Sequence, residues 1–114
     1  MTVSQLASLI NAKTLTAGDP DATVENGYVC DLLSWVMARG AQGMAWITVQ
    51  THLNVIAVAS LHDMACVILP DNIMMDETVL NKAREEDIAV LSSPMNAFSI
   101  CGLMYEKGLL GPET

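Results

Sequence analysis

Positive charge is scarce in this sequence, with five Lys and Arg against 13 Asp and Glu and a net charge of −8. Lys13, Arg39, Lys82, Arg84 and Lys107 are scattered, so no basic stripe exists to neutralise phosphates. That argues against nucleic-acid binding and against attraction to anionic lipid. Long apolar runs are missing too, and none approaches the roughly 20 residues needed to cross a bilayer. The opening MTVSQLASLINAK lacks a basic stretch followed by an apolar core. No signal peptide is therefore expected, and the cytoplasm is the expected location.

Cysteines are few and widely spaced. Cys30, Cys66 and Cys101 form no Cys-x-x-Cys pair and no Cys/His cluster, so the usual zinc and iron–sulfur patterns are absent and no metal or cofactor is expected. Three thiols in apolar settings suit reduced, buried side chains. Gly-rich phosphate loops and a G-x-S-x-G nucleophile elbow are also missing, and no catalytic residue is assigned.

What is abundant is apolar surface, at 52% hydrophobic residues against 16% charged in 114 residues. A chain of that length makes one domain with a core that needs no disulfide or metal. Either the core is simply well filled, or apolar surface remains for a partner in a homo-oligomer or docked complex.

The chain reads as alternating strands and helices. Thr2 and Gln5 form a capping box before Leu6, Leu9 and Ile10. Asn11 stops that helix, Lys13 to Thr16 reads as a strand, and Gly18-Asp19-Pro20-Asp21 as a turn. Tyr28-Val29-Cys30 reads as a buried strand, followed by a short helix from about Asp31 with Gly40 beyond its end. A strand over 44–49, a helix from Thr51 to Leu61 and an apolar strand over 65–69 come next. Val79, Leu80 and Ala83 make the inner face of a helix over 76–87. Ile88 to Leu91 is a strand, and Ser93-Pro94 supplies an N-cap and first-turn proline for a last helix ending at Gly108. The expected fold is a single α/β domain over residues 1–110, with a mostly parallel sheet flanked by helices and a short loose tail at 111–114.

In open parallel sheets, ligands gather outside the carboxyl ends of the strands. That rule selects Asp31, the stretch Thr48 to Asn54, Asp71 in the turn after Leu69, and Ser92 with Ser93. Thr51 is placed to cap the helix it opens, and first-turn amides there suit a carboxylate or phosphate. Gln50, His52 and Asn54 add donors and acceptors for a small anionic or nucleotide-like ligand. The competing reading is that Thr51 only caps while Gln50 and His52 are solvated. Asp31 and Asp71 could converge on a cation, although acidic residues in loops mostly serve caps and turns.

The helix after Thr51 is apolar nearly all round, with Leu53, Ile56, Ala57 and Leu61 on one face and Val55, Val58 and Ala59 over much of the rest. It is therefore expected to be buried on more than one side. The second cover is either another part of this chain or a second copy, with Trp46, Val55, Val58 and Ala59 as candidate contacts of a homodimer.

Three stretches, GYVCDLLSWVM at 27–37, WITVQTHLNVIAVA at 46–59 and IAVLSSPMNAFSICGLMYEKGL at 88–109, resemble the DRTGG domain family. This α/β module is similar to the N-terminal domain of HPr kinase/phosphorylase. The order of elements fits along nearly the whole chain. The sequence looks most like the stand-alone single-domain branch, often encoded near iron-only hydrogenase and NADH-linked iron–sulfur subunits. Two departures stand out: the pentapeptide that names the family is absent, and Pro70-Asp71-Asn72 replaces a Gly-rich turn. The resemblance implies a non-enzymatic, dimeric, regulatory or ligand-sensing accessory domain, with a hydrogenase-related protein as a candidate partner. Two alternatives stay open: a small enzyme or phosphoacceptor acting through His52, and a redox or metal protein using the three thiols.

Overall fold

The computed structural model describes residues 1–112. Their elements are, in order, α1 (Val3–Leu9), β1 (Lys13–Thr16), β2 (Asn26–Val29), α2 (Leu33–Arg39), β3 (Met44–Ile47), α3 (Leu53–Leu61), β4 (Cys66–Leu69), α4 (Glu77–Glu85), β5 (Ala89–Ser92) and α5 (Ala97–Glu106). One sheet in the order β1-β5-β4-β3-β2 runs through the middle. Strands β2 to β5 are mutually parallel, and β1 closes one edge antiparallel to β5. The fold is the α/β architecture expected from the alternating pattern.

Every residue of β3, β4 and β5 is buried, because both faces of these strands are covered. The pleat divides them between two cores. Met44, Trp46, Val67, Leu69 and Val90 join α2, α3 and α4 on one side. Ala45, Ile47, Cys66, Ile68 and Leu91 join α1 and α5 on the other. Trp46 is the largest fully buried side chain, and its indole N–H donates to the Cys30 carbonyl at 2.8 Å. A buried indole without such an acceptor would cost about 1–3 kcal/mol. The accessible surface, 5934 Å², is close to the roughly 6,000 Å² that a compact monomer of 12.2 kDa exposes.

Local signals hold at α1 and α4. The Thr2 hydroxyl accepts from the Gln5 amide at 3.1 Å, and the Gln5 side chain accepts from the Thr2 amide at 2.9 Å. Asn11 ends the helix in the left-handed region, with φ 57°. Val79, Leu80 and Ala83 are the buried residues of α4.

Four expectations are corrected. Strand β2 is a half-exposed edge and not a buried strand: β3 covers one side, and on the other the Gly27 amide donates to the Leu110 carbonyl at 2.9 Å. Helix α3 begins at Leu53 with His52 as its N-cap residue, and Thr51 lies outside it. The last helix is capped by Asn96, whose side chain accepts from the Ser99 amide, while Ser93 is still tied to the sheet through its amide to Leu69. Trp46, Val55, Val58 and Ala59 fill the chain's own core, none more than 5% exposed, which leaves Trp46, Val55 and Ala59 no outward contact to a second copy and Val58 only a border on the groove between α2 and α3. Burial of α3 on the β3–β4 face and against α2 and α4 accounts for its apolar character on that side.

Gly111 and Pro112 continue past α5 without regular structure, and Glu113 and Thr114 lie outside the described residues. Gly18 sits where β1 approaches β5, with φ +51°, and a Cβ at this position would fall 2.5 Å from the Ala89 backbone nitrogen. Gly18→Ala should therefore destabilise the fold by about 3 kcal/mol, combining left-handed strain with a clash against backbone. Thermal or urea unfolding checks this, and a loss below about 1 kcal/mol would contradict the close approach.

Candidate functional site

Because β2 to β5 are parallel, their carboxyl ends meet at one edge of the sheet. The strand ends, the loops after them and the first turn of α3 carry the candidate ligand residues chosen from the sequence. The structure divides those residues into two groups, one occupied in holding the loops and one facing outward.

Asp31 is the centre of the first group. Its Oδ1 accepts from the Thr48 hydroxyl at 2.8 Å and from the Val49 amide at 2.9 Å. The Gln50 side-chain amide donates to the Asp31 carbonyl at 3.1 Å, and the Gln50 backbone amide donates to the Thr48 hydroxyl at 3.1 Å. Thr48 is itself buried and remains in the sheet, its amide donating to the Ile68 carbonyl. These bonds stitch the β2–α2 loop to the β3–α3 loop and set the angle at which the chain enters α3. Ser92 and Ser93 are similarly occupied. The Ser92 hydroxyl donates to the Ile73 carbonyl at 2.7 Å, and that of Ser93 to the Ile10 carbonyl at 2.6 Å. Asp31, Thr48, Gln50, Ser92 and Ser93 thus brace the edge.

Thr51, His52, Asn54 and Asp71 make the outward group. His52 and Asn54 are exposed at the first turn of α3, and the His52 side chain caps none of its amides. Among the described residues no hydrogen bond orients the His52 imidazole. Asp71 and Asn72 both adopt left-handed backbone, φ 57° and 58°, with their amides donating to the Met95 and Ser93 carbonyls. That geometry pins the turn where the sequence has no glycine, and it leaves the Asp71 side chain exposed. Thr51 is half-buried.

The edge is shallow for a topological reason. Successive parallel strands step in one direction across the sheet, so α2, α3 and α4 share one face. No reversal of strand order opens a crevice between them, which is the feature that makes strand ends into deep pockets in doubly wound folds. In the outward group, Asn54 borders a groove of about 330 Å³ between α2 and α3.

Two residues belonging to this edge escaped the sequence reading. Lys13 starts β1, and the antiparallel register pairs it with Ser92, the last residue of β5. A cation that looked unattached therefore stands at the strand ends. Phe98, the sole phenylalanine, lies 88% exposed in the first turn of α5, which follows directly from β5. An apolar residue within a helical segment carries no local mark of exposure. Only the choice of Ile100 and Met104 as the inward face of α5 turns it out.

Among the described residues, no group of three or more His, Cys, Asp or Glu side chains comes together to hold a metal ion. Of the three free cysteines only Cys66 is buried, whereas Cys30 and Cys101 are half-buried, which corrects the expectation of three buried thiols. Burial pushes the Cys66 thiol up to about 12 from 9.0, and burial also raises Cys101. The Cys66 thiolate is accordingly rare near neutral pH.

Compared with known proteins, the sequence matches no family model and no curated protein. Among solved structures, the fold is similar to that of the CBS and DRTGG domains of the regulatory region of Clostridium perfringens pyrophosphatase, in a crystal structure complexed with the activator diadenosine tetraphosphate. The TM-score is 0.73 at 12% identity, and the match covers 90% of this chain and 45% of that one. This chain thus spans less than half the length of its structural neighbour. At such identity the likeness concerns the fold, and it supports a DRTGG-like architecture.

Two outcomes follow from this geometry. Asp31→Ala should lower stability by about 1 kcal/mol, a modest loss because the carboxylate is exposed, while speeding hydrogen exchange of the Val49 and Gln50 amides. Unchanged exchange at both amides would show that the carboxylate is no brace. Cys66 should react with a thiol reagent only on unfolding, more slowly than Cys30 or Cys101. Its raised folded value also means that stability falls as pH rises from about 9 towards 12, since the unfolded thiol ionises first.

Proposed function

We propose that this chain is a non-catalytic regulatory domain that senses a small anionic or nucleotide-like ligand at the carboxyl edge of its sheet. The observation that carries this reading is the braced loop ahead of α3. Asp31, Thr48 and Gln50 hold it in place through their own hydrogen bonds, and beyond it Thr51, His52 and Asn54 face outward at an uncapped helix start. Rigid support beneath exposed polar groups is what a recognition site needs, because little ordering cost is left for the binding step.

The edge-wide arrangement suits an elongated ligand. Lys13 and α3 lie on opposite sides of β5 and β4, and three strand spacings of about 4.8 Å put β1 roughly 14 Å from β3. A phosphate near Lys13 or the α3 amides, with a base stacked on Phe98, uses the groups that the loops leave unspent. The structural neighbour is a regulatory region crystallised with a dinucleotide activator, which supports this class of ligand. The net charge of −8 limits how strongly any polyanion binds, so affinity is expected to be moderate and salt-sensitive.

His52 as a catalytic base or phosphoacceptor is the weaker reading, since such a group needs a partner that orients the imidazole. Self-association belongs to the proposal as well. A hydrogenase-related protein partner and a cytoplasmic location complete it, the first resting on the sequence resemblance alone.

Titration with ATP, AMP and diadenosine tetraphosphate, followed by amide NMR, tests the ligand. Shifts are expected at residues 49–54, 71–72 and 97–99, reduced at least about fivefold in affinity by Lys13→Ala or Phe98→Ala. An absence of shifts at millimolar nucleotide would overturn the nucleotide reading. Phosphohistidine or turnover that disappears in His52→Asn would replace it with the catalytic one.

A further inference from the structure

The outward face of α2 and α3 carries apolar side chains that the core does not use. Leu53 is 48% exposed, Leu61 is 68% exposed, and Ala57 is exposed between them. They recur at intervals of four and line one stripe of α3. Beside the stripe runs the groove of about 330 Å³ bordered by Leu33, Ser34, Met37, Asn54, Ala57 and Val58. Small side chains, Ser34 and Ala57, keep it open.

We propose that this face is a homodimer interface in which the α3 helices of two copies pack antiparallel about a two-fold axis beside Ala57. It rests on the self-association included in the functional reading and identifies the surface.

Three observations select a second copy of this chain as the occupant. First, the stripe Leu53-Ala57-Leu61 reads the same in both directions. Antiparallel pairing about Ala57 therefore sets each Leu61 beside the other copy's Leu53, as an isologous interface requires. Second, knob and hole occur together on one face: Leu61 projects, and the groove beside Ala57 receives. Third, α3 contains no charged residue, and neither do the groove's borders, in a chain whose net charge is −8. Two such copies repel over most of their surfaces, and α4 presents Glu77, Glu85 and Glu86 outward. The α2–α3 face is where they meet without placing carboxylates together. Small Ala57 lets the helix backbones approach closely, as residues of its size do in tightly packed helix pairs.

Two short helices make an interface at the low end of the specific range, so the dimer is expected to dissociate in the micromolar region. Sedimentation equilibrium of the intact chain from about 1 µM to 1 mM should show monomer converting to dimer. Ala57→Glu, which sets two carboxylates across the axis, should weaken the dimer at least about 100-fold. Ala57 is exposed, so the monomer fold should survive, as circular dichroism would confirm. Leu110→Glu, on the exposed C-terminal segment beside β2, should leave the dimer unchanged. In a Cys30→Ser, Cys101→Ser background, Ala57→Cys should give a disulfide-linked dimer on mild oxidation, since the axis brings the two Cβ atoms close. A wild-type chain that is monomeric at 1 mM overturns both this interface and the self-association in the functional reading. A dimer that persists in Ala57→Glu, without cross-linking through Ala57→Cys, overturns the interface alone and leaves self-association standing through another surface.

Discussion

Everything in this domain depends on burying three adjacent strands on both faces. Strands β3, β4 and β5 expose none of their residues, so each needs a helix layer above and below. That requirement recruits α2, α3 and α4 to one face and α1 and α5 to the other. It also confines polar chemistry to the two ends of the sheet, because a polar group within either core would lack water and partners. Two buried groups are bonded, the Trp46 indole to Cys30 and the Thr16 hydroxyl to Ile88, whereas the buried Asn26 Oδ1 and His62 Nε2 have no partner among the described residues.

At the carboxyl end, two demands compete for the same residue types. Loops leaving a buried strand carry amides and carbonyls that must be satisfied, and short polar side chains are the means. Asp31, Thr48, Ser92 and Ser93 are spent in this way. The polar groups left free are those that remain outside, above the bracing beneath. The same division explains why the edge is shallow. Crossovers that step steadily across the sheet stack their helices on one side, and no gap opens between diverging elements.

How much of this was legible depends on the range of the interactions concerned. The capping box of α1, the inward stripe of α4, the boundaries of β1 and the stop at Asn11 rest on contacts within a few residues, and the sequence showed them. The strand ends as the polar edge were also legible, since apolar runs ending in polar junctions mark them. Less visible was which of two neighbouring caps would win. Ser93 and Asn96 are equivalent as local signals, and Thr51 is by residue type the better N-cap than His52, which nonetheless takes the position. The outcome turned on Thr48 accepting from Gln50 and on Ser93 reaching Ile10, 83 residues away in sequence.

By itself, then, the sequence determined the alternation of strands and helices, the two-sided burial of the central strands and the polar character of their ends. Periodicity and local capping chemistry are enough for those. Tertiary structure alone decided that Lys13 joins the carboxyl edge of the sheet, through an antiparallel register with β5. It alone decided that Phe98 faces water and that Val55, Val58 and Ala59 turn inward while Leu53, Ala57 and Leu61 turn out. An apolar helix can bury any of its faces. Which one it buries is settled by the elements that pack against it, and those are chosen by pairings between residues far apart in the chain.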